Sequence, residues 1–171
     1  MLSELHVKNL ALIEKADVEF RQGLNILTGE TGAGKSIIIG SVGMALGGKA
    51  SRDSIRQGAP YAYVELVFSV DSPEKLKALA ALDAVPDENG LFIISRKIMP
   101  NRSVSRINDE TVTTARLKAV TGLLLDIHGQ HEHQSLLHKQ KHLEILDEYS
   151  RNETEHLKND VAEGYRKYMA L

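Results

Sequence analysis

Two stretches of the sequence carry side chains that could do chemistry, and the first is GETGAGKS. It matches the phosphate-loop pattern G-x-x-x-x-G-K-[ST] at every fixed position. Its glycines let backbone N–H groups approach phosphate oxygens, while Lys35 supplies a cation for the β- and γ-phosphates and Ser36 an oxygen for Mg²⁺. The pattern predicts that ATP or GTP binds with Mg²⁺ through Gly29, Glu30, Thr31, Gly32, Ala33, Gly34, Lys35 and Ser36.

The second stretch, DIHGQHEHQSLLH, contains four of the seven histidines of the chain: His128, His131, His133 and His138. A dedicated zinc site is not favoured, because the chain has no cysteine and because histidines two residues apart diverge on a strand and on a helix. The histidines are expected instead at a solvated surface or at an interface.

Asp126 opens an alternative for the same stretch. It follows three leucines, and phosphate-loop enzymes commonly hold Mg²⁺ with an acidic residue at the end of an apolar strand. With Asp126 in that role, the chain would be a self-contained kinase acting on a nucleotide or another small molecule.

Hydrophobic periodicity places both stretches in an α/β chain. Alternating or continuous apolar residues predict strands at 2–8, 16–20, 24–28, 62–70, 91–99, 103–108 and 123–128. Spacings of three and four predict helices that start at Lys35 and that cover 72–82, 111–121 and 139–171. The phosphate loop therefore lies between a short apolar strand and a helix, the context that this motif needs.

The last predicted helix is dense in charge and carries a spaced apolar seam. Leu157, Val161, Tyr168 and Leu171 follow one another at intervals of four, seven and three residues. This pattern is typical of a coiled-coil seam, and an ordinary amphipathic helix fits it equally well. No capping signal ends the pattern, which favours a piece of a longer protein.

Composition limits the class of protein. The 171 residues are 42% apolar with a net charge of −2, which predicts one soluble domain. No signal peptide and no apolar run of about 20 residues is visible, so a cytoplasmic protein without membrane contact is expected. The absence of cysteine fits a reducing compartment.

Positive charge is concentrated locally. Residues 90–118 contain six basic residues against two acidic ones, and three more basic residues follow the phosphate-loop helix. The candidates for contact with DNA phosphates are Lys49, Arg52, Arg56, Arg102 and Arg106. Charged, solvated sheet edges are the competing interpretation. No aromatic residues interleave with the basic ones in the manner that stacks single-stranded bases.

The order of four segments carries a family resemblance: GETGAGKS, LGGKA, NRSVSRIN and LLDIHGQHEHQSLL. Residues 1–149 resemble the N-terminal part of the RecN family of bacterial DNA repair proteins, in the SMC-like branch of the ABC-type ATPases. The resemblance implies an α/β phosphate-loop NTPase head with a mixed sheet. Residues 1–138 would be the N-terminal half of this head, and residues 139–171 the root of a coiled coil.

The resemblance also implies a division of labour between two half-heads. Gln130, with Gln134 as second choice, would be the Q-loop residue that reaches Mg²⁺ and the attacking water. A C-terminal half, absent from this chain, would supply the signature motif and the catalytic acid. ATP would lie between two heads of a homodimer in recombinational double-strand break repair at the nucleoid, and this chain alone would hydrolyse ATP poorly.

Overall fold

The computed structural model describes residues 1–29, 34–88, 90–125, 146 and 149–170. They belong to two compact units, Met1–Asp126 and Ile127–Leu171. Within the described residues, the first unit contains the sheet, three α-helices and a short 3-10 helix at Arg52–Ser54, and the second unit contains one long helix.

A six-stranded sheet organises the first unit. Its strands are β1 (Leu2–Leu10), β2 (Ile13–Glu19), β3 (Ala62–Ser69), β4 (Leu91–Ile98), β5 (Ser103–Ile107) and β6 (Glu110–Val112). Their order is β2-β1-β3-β4-β5-β6, and every pairing among these strands is antiparallel. The strands predicted at 2–8, 16–20, 62–70, 91–99 and 103–108 all correspond to strands of this sheet.

One face of the sheet forms the core. Because side chains alternate along a strand, β3 buries Val64, Leu66 and Phe68, and β4 buries Phe92 and Ile94. Two helices pack on the sheet: α1 (Lys35–Ala45) contacts β1, β3 and β4, and α3 (Thr114–Leu124) contacts β5. The third helix, α2 (Pro73–Ala80), packs on α3. The opposite face carries the polar members of the same strands.

Helix starts follow the signals in the sequence. Ser72 and Thr113 are the N-caps of α2 and α3, and their hydroxyls accept hydrogen bonds from the backbone N–H groups of Lys75 at 3.4 Å and Arg116 at 3.3 Å. Pro73 occupies the first turn of α2, where its missing N–H costs nothing.

Three secondary-structure predictions are wrong. Residues 24–28 form no strand, and Leu24 and Ile26 are 87% and 73% exposed, since no described strand pairs with this segment. The helix expected from residue 111 begins at Thr114, because residues 110–112 form β6. Leu123 and Leu124, expected in a buried strand, end α3, and the rest of that segment after Leu125 lies outside the described residues.

The second unit is described mainly as α4 (Arg151–Met169). Its apolar residues stay exposed: 55% for Leu157, 71% for Val161, 62% for Tyr165 and 71% for Tyr168. Within the helix predicted over 139–171, residues 151–169 are therefore helical, and their apolar stripe is exposed. The predicted domain boundary at residue 138 lies outside the described residues. None of the described helices is long and apolar enough to cross a membrane.

Candidate phosphate-binding site

The phosphate loop leads directly into α1. Gly34 is the N-cap, α1 starts at Lys35, and among the described residues no side chain caps this end of the helix. The first-turn N–H groups, which have no partner within a helix, are therefore directed toward the loop together with the positive end of the helix dipole. This arrangement attracts an anion.

Two predicted ligand residues have described positions beside Gly34. The Lys35 ammonium donates a hydrogen bond to the carbonyl of Gly29, and Ser36 is exposed in the first turn of α1. The predicted residues Glu30, Thr31, Gly32 and Ala33 lie outside the described residues. The chemistry at this end fits a nucleotide phosphate: a cation, a hydroxyl and a helix N-terminus lie next to one another.

The other end of α1 is held by Arg96 of β4. Its Nη1 donates to the carbonyls of Met44 at 2.7 Å and Gly48 at 2.6 Å, and its Nη2 donates to the hydroxyl of Ser103 at 3.2 Å. Arg96 is only 6% exposed, and this burial lowers the pKa of its guanidinium, which still stays protonated because an arginine loses its proton only far above neutral pH. A buried cation thus caps the negative end of the helix that carries the phosphate loop.

Two glycines and a threonine complete this C-terminal cap. Gly47 has φ +98°, and the N–H of Gly48 donates to the carbonyl of Gly43 at 2.9 Å. A Cβ on Gly48 would come within 2.6 Å of the same carbonyl oxygen. The hydroxyl of Thr121, on α3, donates to the carbonyl of Leu46 at 3.2 Å. The carbonyls at the end of α1 are therefore bound by side chains from both the sheet and α3.

Several predicted site residues cannot be placed. Asp126, Gln130, Gln134 and the histidine cluster lie outside the described residues. Among the residues that are described, no group of three metal-binding side chains exists.

The five candidate DNA contacts separate into different environments. Arg56 is engaged in the fold: its guanidinium donates to the carbonyl of Leu12 at 2.8 Å and lies 3.7 Å from the Glu14 carboxylate. Lys49 and Arg52 are exposed between α1 and β3. Arg102 and Arg106 are exposed on the sheet face opposite the core, and neither side chain makes an ion pair or hydrogen bond with another described residue.

Strand pairing and a shared groove bring aromatic residues to the same face. Lys97 of β4 lies opposite Tyr63 of β3, and Arg102 and Arg106 line the same groove as these two residues. The Lys97 ammonium lies 4.1 Å from the centre of the Tyr61 ring. The aromatic interleaving that is missing locally in the sequence is thus created by pairing residues more than 30 positions apart, which no local pattern could reveal.

The fold identifies a class of protein. A family model for an AAA domain matches residues 4–169, and the chain belongs to this family. The structure is also similar to a solved structure from work on ATP-driven dimerization and DNA-stimulated activation of SMC ATPases, with a TM-score of 0.60, 21% identity and coverage of 85% of this chain and 90% of that one. A RecF–ATP structure gives a TM-score of 0.52 at 19% identity, covering 68% of this chain and 30% of that one.

Sequence similarity is greater to one group of relatives. DNA repair protein RecN of Halalkalibacterium halodurans is 41% identical over the whole chain, and that of Bacillus subtilis is 40% identical. RecN of Vibrio cholerae is 37% identical over 88% of the chain. The chain spans about 30% of the length of the first two relatives and 27% of the third. The predicted resemblance to RecN and the predicted SMC-like α/β head fold are confirmed.

Proposed function

We propose that this chain is the ATP- and Mg²⁺-binding N-terminal half of the split ATPase head of a RecN-like DNA repair protein. The observation that carries this proposal is α1. Its N-terminus carries Lys35 and Ser36 and has no capping side chain among the described residues, while its C-terminus is fixed by Arg96 and Thr121. The identity of 41% to a RecN protein over the whole chain supports the biological role.

Nucleotide binding is tested directly on this chain. We expect a fluorescent ATP analogue to bind in the presence of Mg²⁺, Lys35→Ala to weaken binding by tenfold or more, and Ser36→Ala to weaken mainly the Mg²⁺-dependent part. Lys77→Ala on α2 removes the same charge away from the loop and is the matched control. Unchanged affinity in Lys35→Ala would contradict the phosphate-loop assignment.

Exposed apolar residues near the phosphate loop support the proposal that a second half-head covers this part of the chain. Leu24, Ile26 and Leu27 are 87%, 73% and 42% exposed, and Ile39 of α1 is 53% exposed. Contiguous chain segments of this character are usually covered in a folded protein. Since the relatives are more than three times as long as this chain, we assign the cover to the C-terminal half of the same polypeptide.

This assignment predicts activity only after the two halves are combined. The chain alone should turn over ATP poorly, and mixing it with a separately made C-terminal half should restore hydrolysis through head engagement. Ile26→Asp, at an exposed position, should block this restoration while leaving the melting temperature of the chain unchanged. Robust phosphoryl transfer by the chain alone would favour the kinase alternative instead, which the comparisons do not favour.

Gln130 is proposed as the Q-loop residue, because its neutral amide offers a carbonyl to Mg²⁺ or water and an N–H₂ group to the γ-phosphate. In the full-length protein, Gln130→Ala should abolish hydrolysis and retain ATP binding, whereas Gln134→Ala should retain both. The reverse pattern would move the role to Gln134. The same proposal includes contact with DNA, a homodimer of heads and a cytoplasmic location at the nucleoid. It also assigns α4 to one helix of a coiled coil.

A further inference from the structure

The sheet face opposite the core contains a groove of about 590 Å³ that the nucleotide site does not use. It crosses β1, β3, β4 and β5 at one end of the sheet. Its charged and aromatic lining consists of Lys8, Tyr61, Tyr63, Lys97, Arg102 and Arg106, with Asp109 as the acidic member. Four cations against one carboxylate make the groove a site for an anion.

Three of the four cations are available for a ligand. The side chains of Lys8, Arg102 and Arg106 are exposed and make no ion pair or hydrogen bond within the described part of the chain. By contrast, Arg96 and Arg116, from the same basic stretch, donate to backbone carbonyls and hold the fold together. Charge that serves no internal contact is thus concentrated at the groove.

The tyrosines indicate what kind of anion fits. Tyr63 is held by a 2.5 Å hydrogen bond from its hydroxyl to the Glu65 carboxylate, so its ring has a fixed orientation on the sheet. The Tyr61 ring already holds a cation, Lys97, at 4.1 Å. Rings on an open antiparallel sheet, flanked by arginine and lysine, form the combination that stacks unpaired bases and neutralises the phosphates between them. A duplex offers phosphates but no free base faces.

We propose that this groove binds a single-stranded nucleic acid segment, with bases on Tyr61 and Tyr63 and phosphates on Arg102, Arg106 and Lys8. The lining of the groove favours a single strand over a duplex, and the identity of that strand as DNA rests on the proposed function. This site is separate from the nucleotide site, since none of its lining residues belongs to the phosphate loop or to α1.

The test measures fluorescence anisotropy of a labelled oligothymidylate with the 171-residue chain. Arg102→Ala/Arg106→Ala should weaken binding at least tenfold and reduce the slope of log affinity against log salt by about 1.4, because two phosphate contacts are lost. Tyr61→Leu should weaken binding by roughly 5- to 150-fold, the range that loss of one stacked base gives. Lys75→Ala/Lys77→Ala, on α2, removes equal charge elsewhere and should change neither quantity.

Binding of a duplex, of thymidine monophosphate and of ATP distinguishes this proposal from its alternatives. Equal affinity for a duplex together with no effect of Tyr61→Leu would overturn the proposal, as would tight binding of thymidine monophosphate alone. Circular dichroism checks that each variant is folded, and the exposed arginines make Arg102→Ala/Arg106→Ala the safer of the two changes. Lys35→Ala should leave oligothymidylate binding intact, and the groove variants should leave ATP binding intact. Failure of one site therefore does not imply failure of the other.

Discussion

Replacement of Arg96 by methionine tests whether the C-terminal cap of α1 stabilises the phosphate-loop helix. Methionine keeps the apolar stem of the arginine, is shorter, and removes every donor. The carbonyls of Met44 and Gly48 then lose donors at 2.7 and 2.6 Å in a buried setting. The Met44 carbonyl keeps the Gly47 N–H at 3.2 Å, so the Gly48 carbonyl is the one that loses its described partner. An unsatisfied buried polar group costs about 1–3 kcal/mol and a hydrogen bond to a charged group contributes about 1.5–3 kcal/mol, so the two losses together give about 2.5–6 kcal/mol.

The upper end of that range is lowered by two effects. Arg96 is desolvated in the folded protein, and its Nε has no hydrogen-bond partner, so the wild-type residue carries a cost that methionine relieves. We therefore expect a loss of about 2–4 kcal/mol in the free energy of unfolding, a large share of the roughly 5–15 kcal/mol of an ordinary domain. Arg96→Lys keeps the charge with fewer directed donors, so it should lose less.

The assay combines urea unfolding with nucleotide affinity. Arg116→Met is the matched control, because Arg116 also donates to two carbonyls, those of Leu82 at 3.3 Å and Asp83 at 2.8 Å, but lies away from α1. Under conditions in which both variants are folded, only Arg96→Met should weaken ATP binding. Equal effects of the two changes on ATP binding, or a stability loss below about 1 kcal/mol in Arg96→Met, would refute this reasoning.

Three further predictions concern stability. Gly48→Ala should cost about 1–3 kcal/mol in thermal or urea unfolding, because the new Cβ would lie 2.6 Å from the Gly43 carbonyl oxygen, whereas Gly40→Ala, with nothing within 4 Å, should not destabilise. Hydrogen bonding to Asp17, opposed by burial and helped by Glu4, raises the pKa of His6. The stability that the charged His6 contributes is complete below the unfolded pKa of about 6.5 and is lost as pH rises through the folded pKa. His6→Gln should therefore lower the free energy of unfolding more at pH 5.5 than at pH 8.5. Asn108→Ala should lose about 1–3 kcal/mol, since its side chain accepts from the Ile93 N–H at 2.7 Å and donates to the Val85 carbonyl at 2.6 Å; an unchanged urea midpoint would contradict this.

Local signals in the sequence predicted the parts of the fold that depend on local contacts. The phosphate-loop motif located the start of α1, the Ser72-Pro73 pair located α2, and strict alternation located β3. The hairpin between β5 and β6 was missed, although Asn108 and Asp109 are a two-residue turn with φ +45° and +66°, a conformation for which this pair is suited. The turn signal was present, and the helical pattern that follows it obscured the short strand.

The strand predicted at residues 24–28 is absent for a different reason. The apolar run at 24–28 has strand composition, but a strand forms only when a neighbour accepts its hydrogen bonds, and none is present among the described residues. The exposed Leu24 and Ile26 follow from the same cause. Their composition is explained by the proposed C-terminal half-head, and the isolated chain gives them no comparable role.

The different roles of two adjacent basic residues show most clearly what strand geometry adds to the sequence. Arg96 and Lys97 are equivalent as charges in the sequence, but on β4 successive side chains point to opposite faces. Arg96 therefore reaches the core side and holds the end of α1, while Lys97 lies on the open face against Tyr61. A shift of β4 by one residue relative to β3 would exchange these roles and bury Lys97 at the end of α1. The same strand thus supports the phosphate site on one face and the proposed groove on the other, so the two can be altered independently by single substitutions one residue apart.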